Sequence, residues 1–144
     1  MPMYFEDFEV GQRFVTAGRT VTEADVVNSA GVSGHYNPIH TDAEFAKSTP
    51  FGQRIAHGLL VLSMLTGLRQ RTGATDGTLI AWLEIRNYRF LKPVLIGDTV
   101  HGETEIVEKR ETSKPDRGIV VQRGEVVQEG EFVTMIRRRP REEA

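Results

Sequence analysis

The chain has no cysteine, which excludes disulfides, thiolate nucleophiles and every cysteine-based zinc site. An excess of charge of one sign is lacking too. Lys and Arg number 18 against 20 Asp and Glu, a net charge of −2, so sequence-independent nucleic-acid binding has no electrostatic basis. The one basic run, Arg137-Arg138-Arg139 with Arg141, is followed at once by Glu142 and Glu143 and reads as a solvated end. No apolar stretch is long enough to span a bilayer, and Met1 to Gly11 carries Glu6, Asp7 and Glu9 instead of an apolar run. A cytoplasmic protein without signal peptide, membrane contact or nucleic-acid partner is expected. Internal repeats, low-complexity linkers and shifts of composition are absent, so a single domain over residues 1–144 is expected around one core.

What is present changes character halfway along the chain. Phe14 to Val21 is rich in Val and Thr and reads as a strand. Thr22 is a good N-cap, and Glu23 and Asp25 suit the positive end of a helix that should end by Gly31 or Gly34. Ser33 to Pro38 is expected as loop, and Thr41 to Lys47 as a short helix ending before Pro50-Phe51-Gly52. Gly58 to Leu68 follows, with Leu and Val on every side of the helical wheel, the mark of a buried helix. After Gly73, Leu79 to Phe90, His101 to Arg110, Gly118 to Val127 and Glu131 to Arg138 read as strands. Pro93, Gly97-Asp98, Pro115-Asp116 and Glu129-Gly130 supply the turns. The pattern is α+β, a curved antiparallel sheet wrapped around a central helix. One sheet cannot cover all sides of such a helix, so a homodimer that extends the sheet is expected.

Two segments carry the candidate chemistry: Ser33 to Asp42 and Phe51 to Gly58. In the first, Pro38 fixes its own backbone and pushes Asn37 toward an extended conformation, a stiff setting that can hold His40 as a general base must be held. In the second, Gly58 sits where the apolar helix begins. Its backbone N–H is free of intrahelical partners and sees the positive dipole end, so it can stabilise a developing oxyanion.

Gly34-x-x-Asn37-Pro38-Ile39-His40-x-Asp42, followed by Phe51-Gly52-x-x-Ile55-Ala56-His57-Gly58, resembles the signature of MaoC-like dehydratases and (R)-specific enoyl-CoA hydratases. The likeness continues through Phe90-x-x-Pro93-Val94-x-x-Gly97-Asp98-Thr99. It runs from Phe8-Glu9-Val10-Gly11 to Gly124-Glu125-Val126, nearly the whole chain. The resemblance implies a hot-dog fold, a dimer, and addition of water to a 2-enoyl-CoA, or its removal from a 3-hydroxyacyl-CoA, without metal or cofactor. It implies His40 as the catalytic histidine, Gly58 as the oxyanion-hole glycine, Asn37 as the asparagine of the motif and Thr66 as the hydroxyl supporting a catalytic carboxylate. That carboxylate is an aspartate in the family, and this chain has His35 in its place.

Other readings stand beside this one. His57 reads as a structural hydrogen-bonder at the helix start, His101 as an exposed residue beside a turn, and Ser63 and Thr66 as core hydroxyls. Arg86, Arg89 and Lys92 could meet the phosphates of coenzyme A, although cations at strand edges are usually solvated. His35, His40, Asp42 and His57 have the residue types for zinc but match no standard spacing. A non-hydrating acyl-CoA binder or a thioesterase on the same fold is the remaining alternative.

Overall fold

The computed structural model describes residues 1–124 and 127–142. Glu125, Val126 and Glu143, quoted above in the motif and the terminal run, lie outside the described residues. The chain opens with a 3-10 turn over Phe5–Asp7, closed by the Tyr4 N–H donating to the Asp7 carboxylate at 2.9 Å. The expected strand Phe14 to Val21 is two pieces, β1 (Arg13–Val15) and β2 (Arg19–Thr20). The break has a cause in pairing: the Thr16 N–H and hydroxyl both engage the Gly102 backbone, and beyond it the chain leaves one sheet for another.

Helix α1 (Glu23–Ser33) begins at a capping box. The Asp25 N–H donates to the Thr22 hydroxyl, and the Thr22 N–H donates to the Asp25 carboxylate. It ends at Gly34, whose φ of 73° is the left-handed conformation that glycine adopts without penalty. The next segment departs from expectation, because a one-turn helix α2 (Pro38–Thr41) replaces part of the loop and precedes α3 (Ala43–Lys47). Asn37 caps α2 by accepting the Ile39 N–H, with Pro38 at the first helical position, and Asp42 caps α3 by accepting from Glu44 and Phe45. Two capping side chains, Asn37 and Asp42, thus make two short helices where one was expected.

Helix α4 (Gly58–Gln70) is followed by β3 (Leu79–Phe90), β4 (Thr99–Val100), β5 (Glu103–Glu111), β6 (Arg117–Gly124) and β7 (Gln128–Arg137). The main sheet is antiparallel in the order β1-β5-β6-β7-β3, and β2 and β4 form a separate pair. The α+β class is as expected. The turn expected at Glu129-Gly130 is not there, since both residues lie inside β7 and Gly130 pairs with Gly124. Glycine is needed for close packing instead: a Cβ at Gly130 would run into the Tyr88 ring and its Cα.

The helix expected to be buried all round is buried along a stripe only, Val61, Met64 and Leu68. Val61 and Met64 of that stripe pack with Val21, Val26, Ala56 and Val94 in one core, while Phe5, Phe8, Ile106 and Ile136 form a second. Leu59 is 68% exposed. Strand β3 is a sheet edge that leaves Trp82, Leu83, Ile85 and Phe90 exposed. Among the described residues no helix is long and apolar enough to cross a membrane.

Candidate active site

The two motif segments are tied to each other at three points. The Ile55 N–H donates to the Ile39 carbonyl at 3.2 Å, and His40 Nδ1 lies 2.7 Å from the Ile55 carbonyl. His57 Nε2 lies 2.9 Å from the His35 carbonyl. Each segment therefore sends one imidazole to a backbone carbonyl of the other. A carbonyl can only accept, so both bonded ring nitrogens carry a hydrogen. This fixes the tautomers: in their neutral forms, His40 keeps its lone pair on Nε2 and His57 keeps its own on Nδ1.

Three imidazoles converge as a result. The His40 and His57 rings stack with centroids 3.9 Å apart, and His35 stands edge-on to both at 5.3 and 5.1 Å. His40 and His57 are buried, whereas His35 is exposed. Burial pushes the His40 pKa below its ordinary value of 6.5; the bond to the Ile55 carbonyl opposes this, and the neighbouring His57 and His35 add to it. His40 is thus a neutral imidazole at pH 7 with a free lone pair.

His40 lines a groove of about 490 Å³ whose walls include Gly58, Phe90, Lys92 and Gln128. Gly58 is the first residue of α4, and its N–H has no acceptor among the described residues. A Cβ at Gly58 would lie 2.6 Å from the Phe90 ring, so glycine lets that ring close over the helix start. An unpaired amide at a helix N-terminus and a neutral imidazole therefore share one apolar-walled groove. A proton acceptor and an oxyanion donor are what water addition to an activated double bond requires.

The structure does not bring every expected residue here. Thr66 is two turns further along α4, donates to the Ser63 carbonyl at 2.7 Å and faces a different depression. Asn37 acts through its cap on α2, which carries His40. Lys92 lines the groove, but Arg86 is ion-paired with Glu84 and neither it nor Arg89 lines the groove. His101 is not in the groove and approaches Glu103 at 3.1 Å.

The metal reading is met in part. His35, His40 and His57 have potential ligand atoms within 4.8 Å of one another, but Asp42 is occupied in capping α3. Tetrahedral zinc with bonds of about 2.0–2.1 Å sets its ligand atoms about 3.3 Å apart, and stacked His40 and His57 present faces to each other instead. The rings would have to move to chelate an ion.

Gln128 was not visible to sequence reasoning. Its side chain donates to the Gly58 carbonyl at 2.8 Å and accepts from the Tyr88 hydroxyl at 2.9 Å. A glutamine 70 residues beyond the motif carries no local signal of such a contact.

Comparison with known proteins identifies the family. A family described as MaoC like domain matches residues 7–128. Protein MaoC of Klebsiella aerogenes is 38% identical over 114 residues, which are 79% of this chain and 33% of that protein; the chain thus spans a third of its length. An (R)-specific enoyl-CoA hydratase of Rhodospirillum rubrum is 31% identical over 139 residues, 92% of this chain and 91% of that one. Among solved structures, a monoamine oxidase regulatory protein from Archaeoglobus fulgius superposes with a TM-score of 0.89 at 37% identity, covering 96% of this chain and 97% of that one.

Proposed function

Since the chain belongs to the MaoC-like domain family, with a hot-dog fold, we propose that residues 1–144 act as one hydratase domain on an acyl-CoA thioester. The substrate is a 2-enoyl-CoA or, in reverse, a 3-hydroxyacyl-CoA. The observation that carries the reading is the neutral, carbonyl-anchored His40 facing one groove with the Gly58 N–H.

The steps follow from where the lone pair and the amide sit. The thioester carbonyl oxygen accepts from Gly58 N–H, which draws electron density from C3. His40 Nε2 takes a proton from water as the water oxygen bonds to C3, and the C2–C3 π pair moves onto the carbonyl as an enolate. The enolate oxygen is the charge that Gly58 N–H stabilises. Collapse of the enolate returns the proton from the imidazolium to C2, so that one water has been added. The attacking water would be held between His40 and His35, whose rings stand edge-on, although His35 itself does not line the groove. Asn37 and His57 position this set: Asn37 caps the turn that carries His40, and His57 clamps the His35 carbonyl. Thr66 has no part in these steps. A substrate carried on coenzyme A also fits a cytoplasmic setting.

The protein is further proposed to be a homodimer through β3. That edge strand is 12 residues long and exposes Trp82, Leu83 and Ile85, and a twofold partner would extend the sheet and cover them.

The test is to offer the protein crotonyl-CoA and a saturated acyl-CoA side by side. Loss of enoyl absorbance without release of free thiol is expected. Thiol release would replace the hydratase with a thioesterase, and binding without either change would leave an acyl-CoA carrier.

A further inference from the structure

Behind the groove lies a second cavity of about 160 Å³, between the inner face of α4 and the start of β7. Val61, Leu65, Leu68, Val100 and Val127 make most of its wall apolar, and the partly exposed His101–Glu103 pair with Thr99 edges it, so a hydrocarbon tail would lie against the α4 side. It is an order of magnitude larger than a single water needs. Only Val61 and Gln128 line both this cavity and the groove. Gln128 therefore stands in the partition between the reacting centre and an apolar chamber.

Its amide is held from both sides. The nitrogen donates to the Gly58 carbonyl and the oxygen accepts from the Tyr88 hydroxyl, and Gln128 is 8% exposed. Tyr88 is fixed in turn, seated over Gly130 where a Cβ would collide with its ring, and stacked on Phe132 at an interplanar angle of 16°. Its phenol stays protonated, with burial pushing its pKa up to about 12, so it remains a donor to Gln128. Moving Gln128 aside would break both bonds and leave the Tyr88 hydroxyl unpaired beside apolar walls. A hydrocarbon tail cannot replace either bond.

We propose that Gln128 is a bar that sets acyl-chain length, closing the chamber in the native protein so that the site takes short-chain thioesters and gains nothing from longer tails. The inference rests on the groove holding an acyl-CoA, as proposed above. It adds a specificity-determining residue outside the motif.

The test uses butyryl-CoA and octanoyl-CoA, which are saturated and bind without reacting, so the readout does not depend on hydration. Calorimetry on the intact protein gives the ratio of the two affinities, in which any disturbance of Gly58 common to both ligands cancels. In the native protein octanoyl-CoA is expected to bind no more tightly than butyryl-CoA. Gln128→Ala should shift the ratio toward octanoyl-CoA by about 10- to 100-fold, the scale of burying about two or three methylenes. Tyr88→Phe removes one of the two anchoring bonds while keeping the ring and should give a smaller shift in the same direction. It carries the test if Gln128→Ala does not fold.

A native preference for octanoyl-CoA of tenfold or more, or a ratio unmoved by the variants, would overturn the bar. Failure to bind either thioester would overturn the acyl-CoA reading and the bar with it. A shifted ratio in a protein that does not hydrate crotonyl-CoA would sustain the bar and overturn only the hydratase chemistry.

Discussion

His40 and His57 are two buried imidazoles with centroids 3.9 Å apart, each bonded through one nitrogen to a carbonyl of the opposite motif segment. Their free nitrogens differ. His40 lines the groove beside Gly58, whereas His57 Nδ1 is buried without a partner among the described residues. In the proposed mechanism the same residue type, with the same kind of anchor, thus serves chemistry in one place and architecture in the other. What separates them is the element underneath. His40 sits in a capped one-turn helix that presents it to the groove, and His57 is the N-cap residue of α4, turned back onto the His35 carbonyl.

The sharpest way to break this comparison is to delete each ring in turn. His40→Ala should lower hydration turnover by about 10²–10⁴-fold with the melting temperature near the native value, the usual contribution of an acid–base group. His40→Gln should lose nearly as much, since it keeps a polar side chain but not a titratable one. Unchanged turnover in a folded His40→Ala protein would make His40 a bystander. His57→Phe should do the reverse and act mainly on stability. It leaves the His35 carbonyl without its donor, at a cost of about 1–3 kcal/mol. That corresponds to a melting temperature lower by roughly 2–4 °C per kcal/mol. A His57→Phe protein of native stability with turnover as low as His40→Ala would reverse the assignment.

His35 sharpens the comparison, because it is exposed and stands where the family resemblance implies an aspartate. His35→Asp should raise hydration turnover on at least one enoyl-CoA, because a carboxylate can hold water against His40. It should also move the acid limb of the pH profile up by about one unit, since a nearby anion favours the imidazolium. Lower turnover would mean that His35 itself has become the working base. The smallest effect concerns assembly: Ile85→Lys on the exposed edge of β3 should weaken the dimer while the fold persists. Sedimentation checks this, and a native protein that is monomeric at micromolar concentration would remove the dimer altogether.

The motif half of the chain was legible because its signals are local. Thr22 with Asp25, Asn37 with Pro38, and the glycine opening α4 each act within a turn of their own position. The α+β class and four long strands could be read from periodicity for the same reason. What could not be read depends on contacts between distant residues. Asp42 looked available to a metal site, but its capping bonds to Glu44 and Phe45 become apparent only once α3 is placed. Gly130 looked like a turn because glycine in a strand needs a neighbour's close approach to explain it, and that neighbour, Tyr88, is on another strand. Gln128 enters the site from β7 with nothing in its flanking residues to announce it, and Phe90, although it heads a stretch of the family likeness, gave no sign that its ring meets Gly58. Thr66 has the expected residue type and helix, yet its hydroxyl bonds within α4 rather than to the site.

The most direct measurement of the central claim is kcat/KM for hydration against pH, in the native protein and in His40→Gln. Burial and the two neighbouring imidazoles disfavour a charged His40, so the neutral, basic form should persist below pH 6.5, its ordinary value. Because the folded state then binds protons less readily than the unfolded one, stability should also fall as pH drops through 6.5, and melting curves at each pH separate the two effects. The expected result is a flat profile through neutrality with an acid limb whose apparent pKa lies below 6.5 and that is lost in His40→Gln. An acid limb above 6.5, or the same limb surviving in His40→Gln, would contradict the assignment of His40 as the proton-transfer group.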